Sequence, residues 1–299
     1  MEGIVLHSSS RDSSSSFAQE KKYLLACSKV TDVQLRFLSL FEGEALIRKN
    51  PKGIGFLYFY DEDLYLEDLA VRLGVPTYSN PKNYLYGHDL GAFYRRISDS
   101  SLACPRFYIA PHLEGEGYSK GFEELSLGMK EEGLSYPLRL RRRSDADVYS
   151  PSLCLTPIEF NAKLKELGSS PFVCEEFLSG PLLLALVIGK KCFGILEQQG
   201  KEWTRSSSDN RFVRSLACQV SASCYKEASL VLLQREGKTP LPIGISSRLP
   251  ILLFDSLLRT HAGEEWILHL QKLAKEQKVF LYSEEESIKR ERALLNKDK

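Results

Sequence analysis

Long apolar runs and an excess of charge of one sign are both missing from this sequence. No apolar run approaches the roughly 18 residues that a membrane-spanning helix needs, so we do not expect a membrane protein. The formal net charge is +1 at pH 7. The composition therefore gives no reason to expect bulk electrostatic binding to nucleic acid or to a membrane surface.

Closely spaced cysteines and histidines are also missing. The chain has seven cysteines without a CxxC pair, and five histidines that lie far apart. This pattern favours reduced, mostly buried thiols, as in a cytosolic protein, over a nucleophile or a zinc site. The opening MEGIVLHSSSRDSSSS has neither a basic start nor a long apolar segment, which are typical of a secretory signal peptide. We therefore expect a cytoplasmic protein.

What is present is typical of a folded globular chain. Hydrophobic residues make up 43% and charged residues 26% of the 299 residues, which are ordinary values for such proteins. This length is sufficient for two domains or for one large domain of several lobes.

The N-terminal 80 residues have the pattern of a small α/β unit. Gly3 to Leu6 form a short apolar run that predicts a buried strand, and a serine-rich loop follows. Residues 17–30 have helical spacing. A strand, loop and helix in this order can bind phosphate, but the loop has no glycine, and a plain solvent loop is favoured. Further on, residues 53–60 predict an aromatic strand, and a helix closed by Gly74 follows. The leucines expected to face inward on this helix are Leu64, Leu66, Leu69 and Leu73.

The middle of the chain alternates between helical and strand patterns. Residues 83–111 predict a helix, a loop and a strand, and residues 120–141 predict a helix and then a strand from Tyr136 to Arg141. Thr156 and Pro157 predict the start of another helix, which Gly168 ends.

The stretch FVCEEFLSGPLLLALVIGKKCFGILE, residues 172–197, predicts three strands joined by turns. Two acids, Glu175 and Glu176, end the first strand, and a Ser-Gly-Pro turn follows. On residues alone, this stretch is either a buried hairpin or one wall of a nucleotide site. Later residues predict a helix near 211–224, a hairpin with a Glu-Gly turn near 227–245, an amphipathic helix near 263–277 and a charged tail.

The order of these elements resembles the ATP-grasp fold and, within it, the D-alanine–D-alanine ligase family. Four stretches carry the resemblance: residues 66–109, YPLRLRRRSDADVYS, FVCEEFLSGPLLLALVIG and LVLLQREGKTPLPIGISSRLP. The resemblance implies an α/β fold with a Rossmann-like N-terminal unit and two α+β lobes around a cleft. The implied boundaries are 1–82 for the N-terminal domain, 83–171 for the central lobe, 172–282 for the C-terminal lobe and 283–299 for the tail.

The resemblance also implies a nucleotide site. In the family, adenine lies between two sheets, beside a hinge that corresponds here to the Glu-Glu-Phe-Leu segment. Backbone groups of Glu176, Phe177 and Leu178 would then pair with the adenine edge, and Glu175 or Glu176 could bind its amino group. Arg141 stands at the position of a phosphate-binding lysine. These five residues are the candidate site, and ATP is the candidate cofactor.

Several positions depart from the family pattern. Leu90 stands where the family has a phosphate-binding lysine, and the phosphate loop corresponds to RRSDADVYSPS, which has no glycine and whose Asp145 and Asp147 would repel phosphate. The metal-binding acids and amide of the last hairpin fall near Leu230, Ile245 and Ser247, where no carboxylate stands. Since Mg²⁺ prefers such oxygen ligands, we expect no Mg²⁺ site and no catalytic residues.

The arginines of RLRRRSD have two interpretations. They could clamp a phosphate or a carboxylate, with Arg141 as the best candidate. Alternatively, Arg139, Arg142 and Arg143 are solvated and paired with Asp145 and Asp147, which is slightly favoured.

Three functional hypotheses follow. The first is an ATP-grasp relative without ligase catalysis that acts as a binding or scaffold protein for a nucleotide or another anion. The second is a diverged, active ATP-dependent carboxylate–amine ligase whose metal ligands come from elsewhere, such as Glu197 or Asp209. The third is an unrelated α/β protein with an accidental resemblance. The family also implies a homodimer, whereas nothing in the sequence suggests nucleic acid or membrane as a partner.

Overall fold

The computed structural model describes residues 1–78, 81–111, 117–144 and 152–276, apart from the side chains of residues 81–83 and 119. The chain falls into two compact units, Met1–Asn80 with Ile267–Lys299 and Pro81–Trp266. Within the described ranges, no helix is both long and apolar enough to cross a membrane.

The first unit is built on a parallel sheet with the strand order β2-β1-β3. Its core contains apolar residues of β1 and β3, such as Ile4 and Phe59, together with Leu66 of α3. The elements are β1 (Glu2–His7), α1 (Ser15–Ser28), β2 (Gln34–Ser39), α2 (Leu40–Lys49), β3 (Phe56–Phe59) and α3 (Leu64–Arg72). The predicted buried strand at Gly3 to Leu6 is confirmed, and so is the helix after it.

The inward face predicted for α3 is only half right. Leu66 and Leu69 are buried, but Leu64 and Leu73 are exposed. The reason is helical geometry, because leucines two residues apart project about 200° apart around the axis and cannot both face the core. Leu64 begins the helix and Leu73 is its C-cap. Gly74 then has a φ of +69°, as predicted for the residue that closes the helix.

The second unit contains two antiparallel sheets. The first has the strand order β4-β7-β5-β6, and a cluster of apolar residues joins it to α6 and α7. The elements up to the end of this sheet are α4 (Pro81–His88), α5 (Leu90–Asp99), β4 (Phe107–Ile109), α6 (Phe122–Glu131), β5 (Leu138–Arg142), β6 (Ser152–Cys154), α7 (Pro157–Leu167) and β7 (Phe172–Glu176).

The other sheet of this unit has the strand order β10-β9-β8-β11-β12. Alternate residues of β8 and β11, such as Ala185 and Val231, form a core cluster with Phe93 of α5 and Ala217 of α8. The elements are β8 (Leu182–Ile188), β9 (Lys191–Gln199), β10 (Glu202–Arg205), α8 (Arg211–Ser223), β11 (Ala228–Glu236), β12 (Thr239–Ser246) and α9 (Ile251–Leu258). Helix α10 (Ala262–Lys275) follows.

Several predictions for this unit are confirmed. The three strands of residues 172–197 are β7, β8 and β9. The late hairpin is β11 and β12, and its turn follows Glu236 at Gly237 and Lys238. Thr156 caps α7 by accepting a hydrogen bond from the Glu159 N–H, and Gly168 ends that helix at a φ of +60°.

The cysteines are free thiols, as expected, and all are buried except the half-buried Cys104 and Cys218. Burial raises the pKa of Cys192 and Cys224 to about 12. Because the thiolate is the reactive form of cysteine, these two side chains are inert at neutral pH.

Candidate functional site

Two arginines of β5 are buried between the sheets of the second unit. Arg139 and Arg141 are two residues apart on one strand, so their side chains leave the same face of the sheet. Leu138 and Leu140 leave the opposite face and join the apolar core. Only 3% of Arg139 and 4% of Arg141 is exposed. Burying a guanidinium costs free energy unless the charge is paired, so the partners of these two side chains decide what the site can do.

Both arginines share one carboxylate. Strand β7 pairs with β5 so that Glu175 lies opposite Arg139, and Glu175 is fully buried. Arg139 Nη2 donates to Glu175 Oε2 at 2.5 Å, and Arg141 Nη1 donates to Oε1 at 3.2 Å. Arg141 Nη1 also donates to the carbonyl of Ile243 at 2.7 Å. One buried carboxylate thus faces two buried guanidinium groups.

Tyr94 of α5 lies beside the same cluster. Its ring stacks on Phe107 with the centroids 5.0 Å apart. Burial, and then the negative charge of Glu175, raise the pKa of its phenol well above the usual value. Tyr94 is therefore a neutral hydroxyl at physiological pH.

A cavity of about 460 Å³ opens beside the arginines. It is bounded by β5 and β6 of one sheet, by strands β8, β9, β11 and β12 of the other, and by the segment 177–181 that connects β7 to β8. Its lining residues are Arg139, Arg141, Leu153, Phe177, Leu178, Gly180, Pro181, Leu182, Gln198, Gly200, Gln234 and Ile243. Its walls thus combine two cations with apolar side chains.

Gln234 of β11 connects the arginines to the segment that joins the two sheets. Its Nε2 donates to the carbonyls of Leu178 and Gly180, both at 2.9 Å. Its Oε1 accepts a hydrogen bond from Arg139. Sequence reasoning missed Gln234. The available signal was a polar side chain that ends the apolar run of β11.

The predicted site residues occupy different places. Arg141, Phe177 and Leu178 line the cavity. Glu175 holds the two arginines, whereas Glu176 pairs with Arg106, which donates through Nε at 2.8 Å and through its backbone N–H at 3.0 Å. The N–H groups of Phe177 and Leu178 donate to none of the described residues. Nucleotide binding by these five residues stays a prediction.

The solvated interpretation of the arginine cluster is wrong for Arg139, because the second sheet packs over its face of β5. Arg142 is exposed as expected. Arg143 is partly buried and pairs with Asp89, to which its Nε donates at 3.1 Å. The predicted partners Asp145 and Asp147 lie outside the described residues.

The described residues do not fit a Mg²⁺ site of the family type. Leu230 and Ile245 are buried on neighbouring strands of the last hairpin, and Leu90, at the lysine position, is buried in the apolar core. In the part of the chain that the structure describes, no group of three or more His, Cys, Asp or Glu side chains could hold a metal ion.

The two acids named above as alternative metal ligands are already paired. Glu197 binds Arg235 Nη2 at 3.0 Å and accepts from Ser206 at 2.7 Å. Asp209 accepts from both Nε and Nη2 of Arg214, at 2.6 and 2.8 Å. Both carboxylates therefore already have a cationic partner.

Comparison with known proteins identifies the fold. No family model and no curated protein sequence matches this chain. Among solved structures, D-alanine–D-alanine ligase from Bacillus anthracis is 15% identical and gives a TM-score of 0.69, with 93% of this chain and 99% of that chain covered. The same ligase complexed with ATP is 15% identical and gives a TM-score of 0.72, with the same coverage of both chains.

A RimK domain ATP-grasp protein from Sphaerobacter thermophilus is 12% identical, with a TM-score of 0.68 over 89% of this chain and 98% of that chain. Identities this low show the fold alone. The matches therefore confirm the predicted resemblance in fold. The predicted α/β architecture is confirmed, and the chain has an ATP-grasp fold that resembles D-alanine–D-alanine ligase.

Proposed function

We propose that this protein binds a phosphorylated small molecule, such as a nucleotide, in the cavity beside Arg139 and Arg141, and that it does not carry out the ligase reaction. The observation that carries the proposal is a buried pair of arginines that share the carboxylate of Glu175 at the wall of a cavity.

The charge of the cluster selects an anion. A buried guanidinium is costly to the protein unless it is paired, and a phosphate oxygen beside it would add a charge-assisted hydrogen bond. Guanidinium groups suit phosphate because they can donate two parallel hydrogen bonds to its oxygens. The ligand is therefore expected to place its phosphate oxygens beside Arg139 and Arg141.

The rest of the cavity suits a larger organic group. Its volume of about 460 Å³ is within the usual range of small-molecule sites. The apolar side chains of Leu153, Phe177 and Leu182 line it, and the N–H groups of Phe177 and Leu178 are available as donors. ATP is the first ligand to test, because one structure of similar fold is a ligase complexed with ATP.

Each candidate residue has a role in this proposal. Arg141 contacts the phosphates, and Glu175 holds both arginines in place. Glu176 fixes the end of β7 through Arg106, and Phe177 and Leu178 contact the organic group. ATP would supply a chain of phosphates to the arginines.

Loss of catalysis follows from the ligand chemistry of the last hairpin. Stabilising the charge that develops during phosphoryl transfer requires cations held beside the phosphates. The hairpin region has Leu230, Ile245 and Ser247 at the metal positions, none of which is a carboxylate, and Glu197 and Asp209 pair with Arg235 and Arg214. The protein then acts as a binding or scaffold protein in which ligand occupancy is the signal.

An assay of ADP formation tests the loss of catalysis. The full chain is incubated with ATP, Mg²⁺ and a panel of amino acids and other carboxylates, with the Bacillus anthracis ligase as the positive control. We expect no ADP above the protein-free blank. Mg²⁺-dependent ADP formation that a carboxylate stimulates would contradict the proposal and favour a diverged, active carboxylate–amine ligase.

A further inference from the structure

We infer that one face of helix α5 carries a second binding site, separate from the cavity beside Arg139 and Arg141, for a small monocarboxylate with an apolar body. The inference goes beyond the proposed function and does not rest on it, because the two cavities have no lining residue in common.

Helix α5 has a core face and an opposite, polar face. The apolar residues of the first face lie in the core, namely Leu90, Phe93, Tyr94 and Ile97. The residues of the second face line a cavity of about 390 Å³, namely Ala92, Arg95, Arg96 and Asp99. The two sets are about half a turn apart, because an α-helix has 3.6 residues per turn. Leu85 of α4 and Ile109 of β4 line the same cavity.

Arg96 is held in place by neutral groups. Its Nε donates to the carbonyl of Ser223 and its Nη2 to the hydroxyl of Tyr225, both at 2.7 Å. Its guanidinium lies over the ring of Tyr225, 4.7 Å from the centroid. A guanidinium has five N–H donors, and no carboxylate of the described residues pairs with this one. Arg96 is therefore a fixed cation at the cavity wall with donors left for an anion.

Arg95 and Asp99 lie one turn apart on the same face, the usual spacing of a helical ion pair. Neither side chain forms an ion pair or a hydrogen bond with any described residue, and both are exposed. The cavity wall thus has a second cation without a carboxylate partner, and a carboxylate without a cationic partner. The fold itself uses neither of these charges.

The third arginine of the wall has a structural role. Arg143 pairs with Asp89, and the carboxylate of Asp89 caps α5 by accepting from the Ala92 N–H. This pair fixes the start of the helix. The ligand is therefore expected to bind to Arg95 and Arg96.

These groups select a monocarboxylate. A carboxylate suits guanidinium groups because they can donate two parallel hydrogen bonds to its oxygens. Asp99 would repel a second negative charge in the same cavity. Leu85 and Ile109 supply apolar contacts for the body of the ligand, and the volume of about 390 Å³ is within the usual range of small-molecule sites.

An NMR titration of the full chain with benzoate, phenyl phosphate and benzyl alcohol at matched ionic strength tests the inference. The pH is kept well above about 6, the second pKa of a phosphate monoester, so that phenyl phosphate is a dianion. We expect saturable binding of benzoate. Phenyl phosphate should bind at least about threefold more weakly because of Asp99, and benzyl alcohol at least about tenfold more weakly because it lacks the charge.

Substitutions on α5 separate the site from general surface charge. Arg95→Gln should weaken benzoate binding about three- to tenfold, and Arg96→Gln about tenfold or more, because each removes a charged donor. Asp99→Asn should let phenyl phosphate bind at least as tightly as benzoate. The matched control is Arg205→Gln, which changes an exposed arginine that lines neither cavity; its Kd for benzoate should stay within about twofold of that of the unmodified protein.

Three results would overturn the inference. The first is an absence of saturable benzoate binding. The second is an equal loss of benzoate binding in Arg95→Gln and Arg205→Gln, since general surface charge would then attract the anion. The third is displacement of benzoate by excess tripolyphosphate at matched ionic strength, which would mean that benzoate binds in the first cavity. None of these results contradicts the proposed function, which titration with ATP and tripolyphosphate tests separately.

Discussion

Replacing Glu175 by glutamine is expected to lower the free energy of unfolding by about 3–5 kcal/mol. Breaking a buried ion pair by removing one partner has this typical cost, because the charge left behind stays buried without compensation. Here the change leaves two guanidiniums, of Arg139 and Arg141, without their carboxylate. Urea denaturation followed by circular dichroism measures the change, provided that the transitions of the two proteins have the same slope.

The neighbouring residue provides the matched control. Glu176 also pairs with an arginine, but 60% of the Arg106 side chain and 22% of the Glu176 side chain are exposed. Exposed ion pairs contribute only about 0–1 kcal/mol, so Glu176→Gln should have a small effect. If both variants lose the same stability, Glu175 is not the counter-ion of a buried cationic cluster.

Replacing Arg141 by glutamine is expected to weaken binding of tripolyphosphate and of ATP by about 10- to 100-fold. The change removes one guanidinium, and with it a charged hydrogen-bond donor, from the wall of the cavity. Hydrogen bonds to charged groups contribute about 1.5–3 kcal/mol, which corresponds to roughly this change in Kd. Calorimetric titration below the unfolding temperature of the variant measures the Kd values for tripolyphosphate and for ATP.

Arg142→Gln is the control for this prediction. It removes the same charge one residue along β5, where the side chain points to the opposite face of the sheet and is exposed. The Kd values of this variant for tripolyphosphate and ATP should stay within about twofold of those of the unmodified protein. Equal losses in both variants would mean that general surface charge, and not the buried pair, attracts the anion.

Local signals account for the elements that could be predicted from the sequence. Thr156 and Pro157 begin α7 and Gly168 ends it, and the Glu-Gly pair marks the turn between β11 and β12. The sequence pattern predicts no element for residues 34–49, where β2 and α2 lie. It also predicts a single helix near residue 89, whereas Asp89 separates α4 from α5 and caps the second of them.

Some residues of the candidate site could be predicted from the sequence, but the contacts between their side chains could not. Arg141 and the Glu-Glu-Phe-Leu segment could be identified as candidates because the sequence resembles the D-alanine–D-alanine ligase family. The burial of Arg139 could not be predicted from the sequence, because a strand with alternating arginines usually has a solvated face. Its actual partners are Glu175 and Gln234, 36 and 95 residues away in the chain. Only the packing of one sheet over the other brings these side chains together.

A calorimetric titration of the full chain with ATP, in EDTA and then in excess Mg²⁺ at matched ionic strength, tests most directly whether an arginine-held anion site has replaced a metal-dependent one. We predict saturable binding in EDTA, with a Kd that Mg²⁺ does not tighten, because Arg139 and Arg141 and not a metal ion neutralise the phosphates. Binding that occurs only with Mg²⁺, or is at least tenfold tighter with it, would contradict the proposal and favour metal-dependent ligase chemistry.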